Sequence, residues 1–339
     1  MNTFKTGILL VNLGTPDSPA VPDVRKYLVE FLLDKRVIDI PVFQRNLLVR
    51  GIIAPFRAPK SAALYKKIWT DKGSPLLVYS KQLKTKLQNK LGADFIVELA
   101  MRYQSPSIEN GLNNLHKQNC SRLIIVPLFP QYASASNGSV IDKVMEITKN
   151  KLAIPDMHFT GSFHNHPLFI KAFAEKGKKY QPENYDHVLF SFHGLPERQI
   201  LKSVPQNNCL TETCCDTLHE KNQLCYRAQC FDTARLIAAQ LNIPKEKYTI
   251  CFQSRLGKTP WIKPYSDLVI DELAKKGVKK ILAFSPAFVA DCLETLYEIG
   301  EEYNEIFKSK GGEKITLVES LNDSDLFVDC LVEILASSR

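Results

Sequence analysis

Short runs rich in Ile, Val, Leu and Phe alternate along the chain with longer segments whose apolar residues recur at helical spacing. Apolar runs of four to eight residues bounded by turn formers read as strands covered on both faces. Strands of that kind separated by amphipathic helices build parallel sheets. The pattern predicts strands over 7–12, 94–100, 122–129, 158–163, 187–192, 248–253, 280–285 and 314–319. It predicts helices over 24–33, 107–118, 139–149, 167–178, 230–241, 267–276, 291–307 and 324–336. Asn322, Asp323 and Ser324 are capping candidates for the last. Strands in this number suggest two parallel sheets flanked by helices, an α/β architecture.

Pro155 and Asp156 interrupt two periodic segments, which divides the chain into two Rossmann-like domains. The expected first domain is 1–155, joined by 311–339 if the terminal helix packs back on it, and the second is 156–310. LIIVPLFPQ at 123–131 and ILAFSPAFV at 281–289 both run from an apolar strand through Pro into a Phe-containing turn, a similarity too short to establish duplication.

A chain of 339 residues with 45% apolar content has ample material for two cores. No apolar run approaches the ~18 residues of a membrane span, and the N-terminus has no charged-then-apolar signal, so the expected compartment is the cytoplasm. The nine cysteines are then expected as thiols or metal ligands. The net charge of +8 suits an anionic surface or a carboxylated ligand, while the lack of an arginine-rich tail or aromatic-basic interleaving excludes nucleic acid.

Glu294, Glu298 and Glu302 fall four residues apart and so share one helical face, where like charges repel. A solvated face is the plain reading. The other, a path for protons or cations, gains from the strand 280–285 that ends in Ser285 and Pro286 just before it, where α/β proteins place their chemistry. His193 ends another strand in SFHGLPER, with Gly194 and Pro196 turning the chain behind it. Histidine at such an edge can accept a proton or ligate a divalent ion. His164 and His166 read more simply as the lead into a helix. Arg102, Tyr103, Tyr132, Phe288 and Trp261 near other strand ends suggest a flat apolar cleft. Gly257, Lys258 and Thr259 imitate the end of a phosphate loop, but Phe252 stands at its first glycine and no GxGxxG occurs, so a nucleotide enzyme is not expected.

The blocks GILLVNLGTPDSP, FLLDKRVIDIP, GSPLLVYSKQ, MRYQSPSI, PLFPQYASASNGS, SFHGLPER, CFQSRLGKTPW and PAFVADCLETLYEIGEEY together resemble the ferrochelatases, in order and over essentially the whole chain. The resemblance implies a protoporphyrin ferrochelatase, a lyase of haem biosynthesis whose substrates are Fe²⁺ and a porphyrin. It implies His193 and Glu294 as the catalytic, metal-handling pair, with Glu298, Glu302 and Asp291 on a proton or metal path. Leu13, Ser74, Arg102, Tyr103, Tyr132, Trp261 and Phe288 are implied as porphyrin contacts, Arg102 and Ser74 toward propionates. Leu13, where coproporphyrin-using members tend to carry Tyr, favours protoporphyrin IX over coproporphyrin III. The rival readings are a non-catalytic porphyrin, haem or metal carrier, and a chelatase for another metal.

Cys209, Cys214, Cys215, Cys225 and Cys230 crowd into one insertion beyond the histidine turn. Four thiolates suffice for a [2Fe–2S] cluster or a structural zinc. Some ferrochelatases carry a cluster, which favours [2Fe–2S] on Cys209, Cys214, Cys215 and Cys225 here, with Cys230 as alternate. Between 43 and 65, Leu47, Leu48, Ile52, Ile53 and Phe56 mix with Arg45, Arg50, Arg57 and Lys60. The composition suits an interfacial lip or an ordinary amphipathic helix, and the resemblance tips it toward peripheral association with the membrane's inner face.

Overall fold

A computed structural model describes residues 5–204, 209–211, 213–255, 257 and 259–338. Lys258 of the phosphate-loop imitation lies outside the described residues. All eight expected strands form: β1 (Thr6–Gly14), β2 (Phe95–Tyr103), β3 (Arg122–Pro127), β4 (Asp156–Phe159), β5 (His187–His193), β6 (Tyr248–Gln253), β7 (Lys280–Phe284) and β8 (Lys314–Leu317). They make two four-stranded parallel sheets, ordered β2-β1-β3-β4 and β6-β5-β7-β8. The central strands are buried along nearly their whole length, as residues Ile8 to Val11 of β1 and Leu189 and Phe190 of β5 illustrate. That two-sided burial is why they read as continuous apolar runs rather than as alternating ones.

The chain divides into two compact units. The first comprises the chain up to Phe129, Ala133–Gly161 and the chain from Leu331 on, and the second comprises Pro130–Tyr132 and Ser162–Cys330. β8 pairs with β7, and the second unit runs on to the middle of the terminal helix Asp325–Ala336. In the first unit, Leu9, Val11, Ile125, Leu112, Leu115 and Val144 pack helices onto the sheet; in the second, Leu189, Ile270, Ile281, Ala283, Ile299 and Phe307 do so.

The helices depart from the sequence expectation at several places. The stretch expected as one α-helix over 291–307 is a π-helix over Glu294–Tyr303 that continues as an α-helix over Asn304–Ser309. A π-helix bonds i to i+5 and is usually a single turn inserted in an α-helix at a functional site; here it runs for ten residues. The lip region is helical throughout, as Val42–Asn46, a π segment Leu47–Ile53 and Ala54–Ile68. The helix Pro75–Leu91 follows it and was not read from the pattern. Among the described residues no helix is long and apolar enough to cross a membrane.

Candidate active site

β5 delivers His193 to its carboxyl end, and the next residue explains the turn. The Gly194 N–H donates to the Gln253 carbonyl at 2.8 Å, and a Cβ on Gly194 would stand 2.8 Å from that oxygen and 3.2 Å from the Trp261 ring. Only glycine permits so close an approach. Behind it, Ile262 N–H donates to Leu195 O at 2.9 Å and Glu197 N–H to Pro260 O at 3.0 Å, which ties the histidine turn to the tryptophan loop. The half-buried His193 ring consequently lies with its centroid 6.4 Å from Trp261 and 6.4 Å from Phe288. Its Nδ1 is 2.6 Å from the Gly194 carbonyl oxygen.

Gln253 ends β6 in direct register with His193. It is buried, and its side-chain amide is fully engaged. Oε1 accepts from Ser191 Oγ at 2.9 Å, and Nε2 donates to the Glu294 main-chain oxygen at 3.0 Å and to Glu298 Oε2 at 2.9 Å. Ser254, at a φ of 66° in the left-handed region, turns the chain so that its Oγ also reaches Glu298 Oε2, at 2.6 Å. Tyr303 donates to Glu298 Oε1 at 3.1 Å, and burial pushes that phenol well above its ordinary range, so it stays a donor. Glu298 is thus a clamped carboxylate. Glu302 is open to solvent, yet its carboxyl is raised above the usual range, first by partial desolvation and then by the charges of Glu298 and Glu305.

Asp291 sits differently. It is buried, its Oδ1 accepts from Thr295 Oγ1 and Ser320 N–H at 3.1 Å each, and its Oδ2 accepts from Asn322 Nδ2 at 2.8 Å. Both oxygens are spent on joining the start of the acidic helix to the segment after β8. Cys292 and Cys251 are buried, as packing residues should be.

In the first unit, Tyr103 is completely buried and Arg102 nearly so. Arg102 Nη2 pairs with Asp34 Oδ2 at 2.7 Å, Tyr103 Oη donates to the same oxygen at 2.9 Å, and Arg102 Nε donates to Ser139 Oγ at 2.6 Å. In this arrangement the guanidinium and the phenol both support Asp34, the phenol fully buried and the arginine side chain 13% exposed. Ser74 is buried and accepts from Thr15 Oγ1 at 2.8 Å, whereas Leu13 and Tyr132 are half-exposed. Gly14 follows Leu13 at a φ of 117°, and a Cβ there would lie 2.1 Å from the Tyr103 carbonyl oxygen, so glycine is obligatory. His166 caps the helix Pro167–Lys178 through its Nδ1, and His164 pairs with Asp232 at 3.5 Å. Gln253, Ser254, Tyr303 and Asp34 were missed from sequence. The available signal was a polar residue closing an apolar strand, as Gln253 does.

Four of the five clustered thiols form a connected run. Cys214 and Cys215 sulfurs are 3.6 Å apart, and the Cys225 sulfur accepts from the thiols of Cys215 and Cys209. The Cys225 thiol is pulled below its ordinary value, chiefly by the Cys215 hydrogen bond and with help from N–H groups at the helix start. Arg227 Nη1 lies 3.1 Å from Cys215 Sγ. Cys230 is fully buried one turn further along the same helix, which leaves it out of the run. Among the described residues no group of three or more His, Cys, Asp or Glu side chains is set to hold a metal ion. What fits a thiolate-bound group is the donor chemistry: soft ligands in contact, a cation beside them, and a cavity of about 640 Å³ bordered by Cys209, Cys214 and Cys225.

Two parallel four-stranded sheets flanked by helices, with a histidine at the end of one strand and an acidic π-helix tied to the neighbouring strand, make an α/β fold of the chelatase-like kind. The structure titled "SirB from Bacillus subtilis with Fe3+" has this fold, with a TM-score of 0.54 at 13% identity over 99% of this chain and 96% of that one. A sequence model of the family described as Ferrochelatase matches residues 5–339. The ferrochelatase of Legionella pneumophila (strain Lens) is 47% identical over 98% of each chain. That of Coxiella burnetii (strain RSA 493 / Nine Mile phase I) is 44% identical over 99% of this chain and 95% of the relative. The chain belongs to the ferrochelatase family.

Proposed function

We infer that this protein inserts Fe²⁺ into protoporphyrin IX, giving protohaem and two protons. The observation that carries the residue assignment is the register of His193 beside Gln253, whose amide holds Glu294 and Glu298. Insertion needs a base for weakly acidic pyrrole N–H groups and a polar route beside an apolar wall. The His193 Nδ1 contact with a carbonyl, which can only accept, assigns the proton to Nδ1 and leaves the Nε2 lone pair as that base. Glu294 is the proposed partner for Fe²⁺ or the released proton, mixed N/O donation being acceptable to iron. Glu298 serves as a fixed charge and Glu302 as the solvent-side proton carrier. Trp261 and Phe288, flanking the imidazole, are the proposed aromatic contacts for the macrocycle. Leu13 favours protoporphyrin IX, Ser74, Arg102, Tyr103 and Tyr132 are further contact candidates, and Asp291 stays on the proposed proton or metal path, with Asp34 holding Arg102 and Tyr103 in place. Anaerobic incubation with Fe²⁺ should convert protoporphyrin IX faster than coproporphyrin III. The reverse order overturns the substrate choice, and porphyrin binding without metallation means a carrier.

For the cysteine segment we assign a [2Fe–2S] cluster on Cys209, Cys214, Cys215 and Cys225, with Arg227 offsetting thiolate charge. Such a group supplies a redox-responsive tie across the insertion. Brown protein bleached by dithionite supports it; colourless, zinc-holding protein overturns it.

The lip is assigned to peripheral contact with anionic lipid. Phe43 is 81% and Phe56 74% exposed, in company with exposed Val42, Leu47, Ile52, Arg50, Arg57 and Lys60. Apolar side chains in such number on one helical stretch, interleaved with cations, match an interfacial helix.

A further inference from the structure

Three consecutive residues at the start of the helix Tyr226–Gln240 touch both the cysteine pocket and the histidine turn. Cys225 belongs to the thiol run. Tyr226 donates its hydroxyl to the His193 main-chain oxygen at 2.8 Å. Arg227 donates Nη1 to the sulfurs of Cys215 at 3.1 Å and Cys214 at 3.7 Å, and Nε to the Lys263 carbonyl at 3.2 Å, two residues beyond Trp261.

The peptide between His193 and Gly194 is therefore pinned at both of its polar groups, its carbonyl by Tyr226 and its N–H by the Gln253 oxygen at 2.8 Å. That peptide fixes the amino side of Gly194, from which the residue's own φ and ψ aim the Gly194 carbonyl. The Gly194 carbonyl in turn is the 2.6 Å partner of His193 Nδ1 and selects the tautomer of the ring. With the Tyr226 pin removed, the peptide is held only by the Gln253 oxygen and has room to tilt, which loosens the Gly194 carbonyl's hold on Nδ1 and makes both tautomers available. Tyr226 is buried, so it has little freedom to keep its contact if Cys225, one residue back, shifts.

We propose that Tyr226 is a positioning residue for His193, holding the imidazole with Nε2 as the free base, and that the cysteine pocket acts on the active site through it. The catalytic meaning of the tautomer rests on the ferrochelatase reading; the contact itself does not.

Tyr226→Phe removes only the hydroxyl. Long-range ¹H–¹⁵N spectra of histidine-labelled protein at about pH 9, where an ordinary imidazole is neutral, report the tautomer, with the His193 signal identified by its loss in His193→Ala. The parent should show Nδ1–H alone and Tyr226→Phe a mixture of tautomers. kcat should fall roughly tenfold and KM for the porphyrin stay within about twofold, the effect typical of losing an outer partner of a working histidine. A variant with the parent's tautomer and kcat overturns the positioning role. Cys215→Ser should move the same signal, and should add nothing to it in the Tyr226→Phe background. An unmoved signal, or a shift that adds in the double variant, overturns the link to the pocket. Arg227→Lys, which keeps the charge and loses the fork, replaces Cys215→Ser should that variant not fold. Since the tautomer is read without turnover, failure of the parent to insert iron would remove the functional reading and leave this test standing.

Discussion

Gln253 donates its side-chain amide to the main-chain oxygen of Glu294, 3.0 Å away, from the strand position in register with His193. One buried amide thus fixes the spacing between the proposed base and the proposed carboxylate, and the same nitrogen holds Glu298. Gln253→Leu keeps the volume and removes the amide, which takes a donor from the Glu294 carbonyl and from Glu298 Oε2 and leaves the Ser191 hydroxyl with Ser266 alone. The expected cost is roughly 1–3 kcal/mol of stability, read by urea unfolding. Iron insertion should fall by more than that instability explains, measured where the variant is still folded. Unchanged turnover in folded Gln253→Leu would mean that the spacing of His193 and Glu294 does not matter.

The strands were legible because each is an apolar run, and burial of both sheet faces writes that run directly into the sequence. His193 was legible for the same reason, as the first polar residue after such a run with a glycine behind it. The acidic ladder was seen but its winding was not. Spacing by four keeps residues on one face in an α-helix and in a π-helix alike, so the pattern of Glu294, Glu298 and Glu302 does not separate them. Arg102 and Tyr103 were read as ligand contacts because they follow a strand. Both also meet Asp34, which lies 68 residues away from Arg102 along the chain, and no local pattern announces a long-range buried ion pair. Gln253 was passed over because a single neutral amide carries no periodicity.

His187 gives the fold a defined acid weakness. Burial, and then the charges of Lys247 and Lys276, lower its imidazole from 6.5 to about 4, and its Nε2 is 2.9 Å from Thr249 Oγ1. The unfolded chain therefore takes up this proton first as the pH falls. The stability that neutral His187 confers is complete above 6.5 and is lost progressively down to about 4. Melting temperatures recorded across that window should decline less steeply for His187→Gln than for the parent. Parallel curves would show that His187 is not held neutral.

The exposed aromatics of the lip should govern lipid binding. Vesicles of phosphatidylglycerol should sediment the parent protein and release it as salt is raised, since about 10 Å of Debye length at 0.1 M shrinks with ionic strength. Phe43→Ser with Phe56→Ser should weaken that sedimentation severalfold without lowering the melting temperature, because neither ring is packed in the core. Equal sedimentation of the double variant would remove the lip from membrane contact.

Anaerobic insertion of Fe²⁺ into protoporphyrin IX by His193→Ala, followed by the metalloporphyrin spectrum beside the parent, tests the central claim most directly. A positioned general base contributes about 10²–10⁴-fold, so the variant should lose at least about a hundredfold in rate while keeping the parent's fold and porphyrin binding. A folded, porphyrin-binding His193→Ala protein that metallates at the parent's rate would show that the imidazole at the end of β5 is not the base.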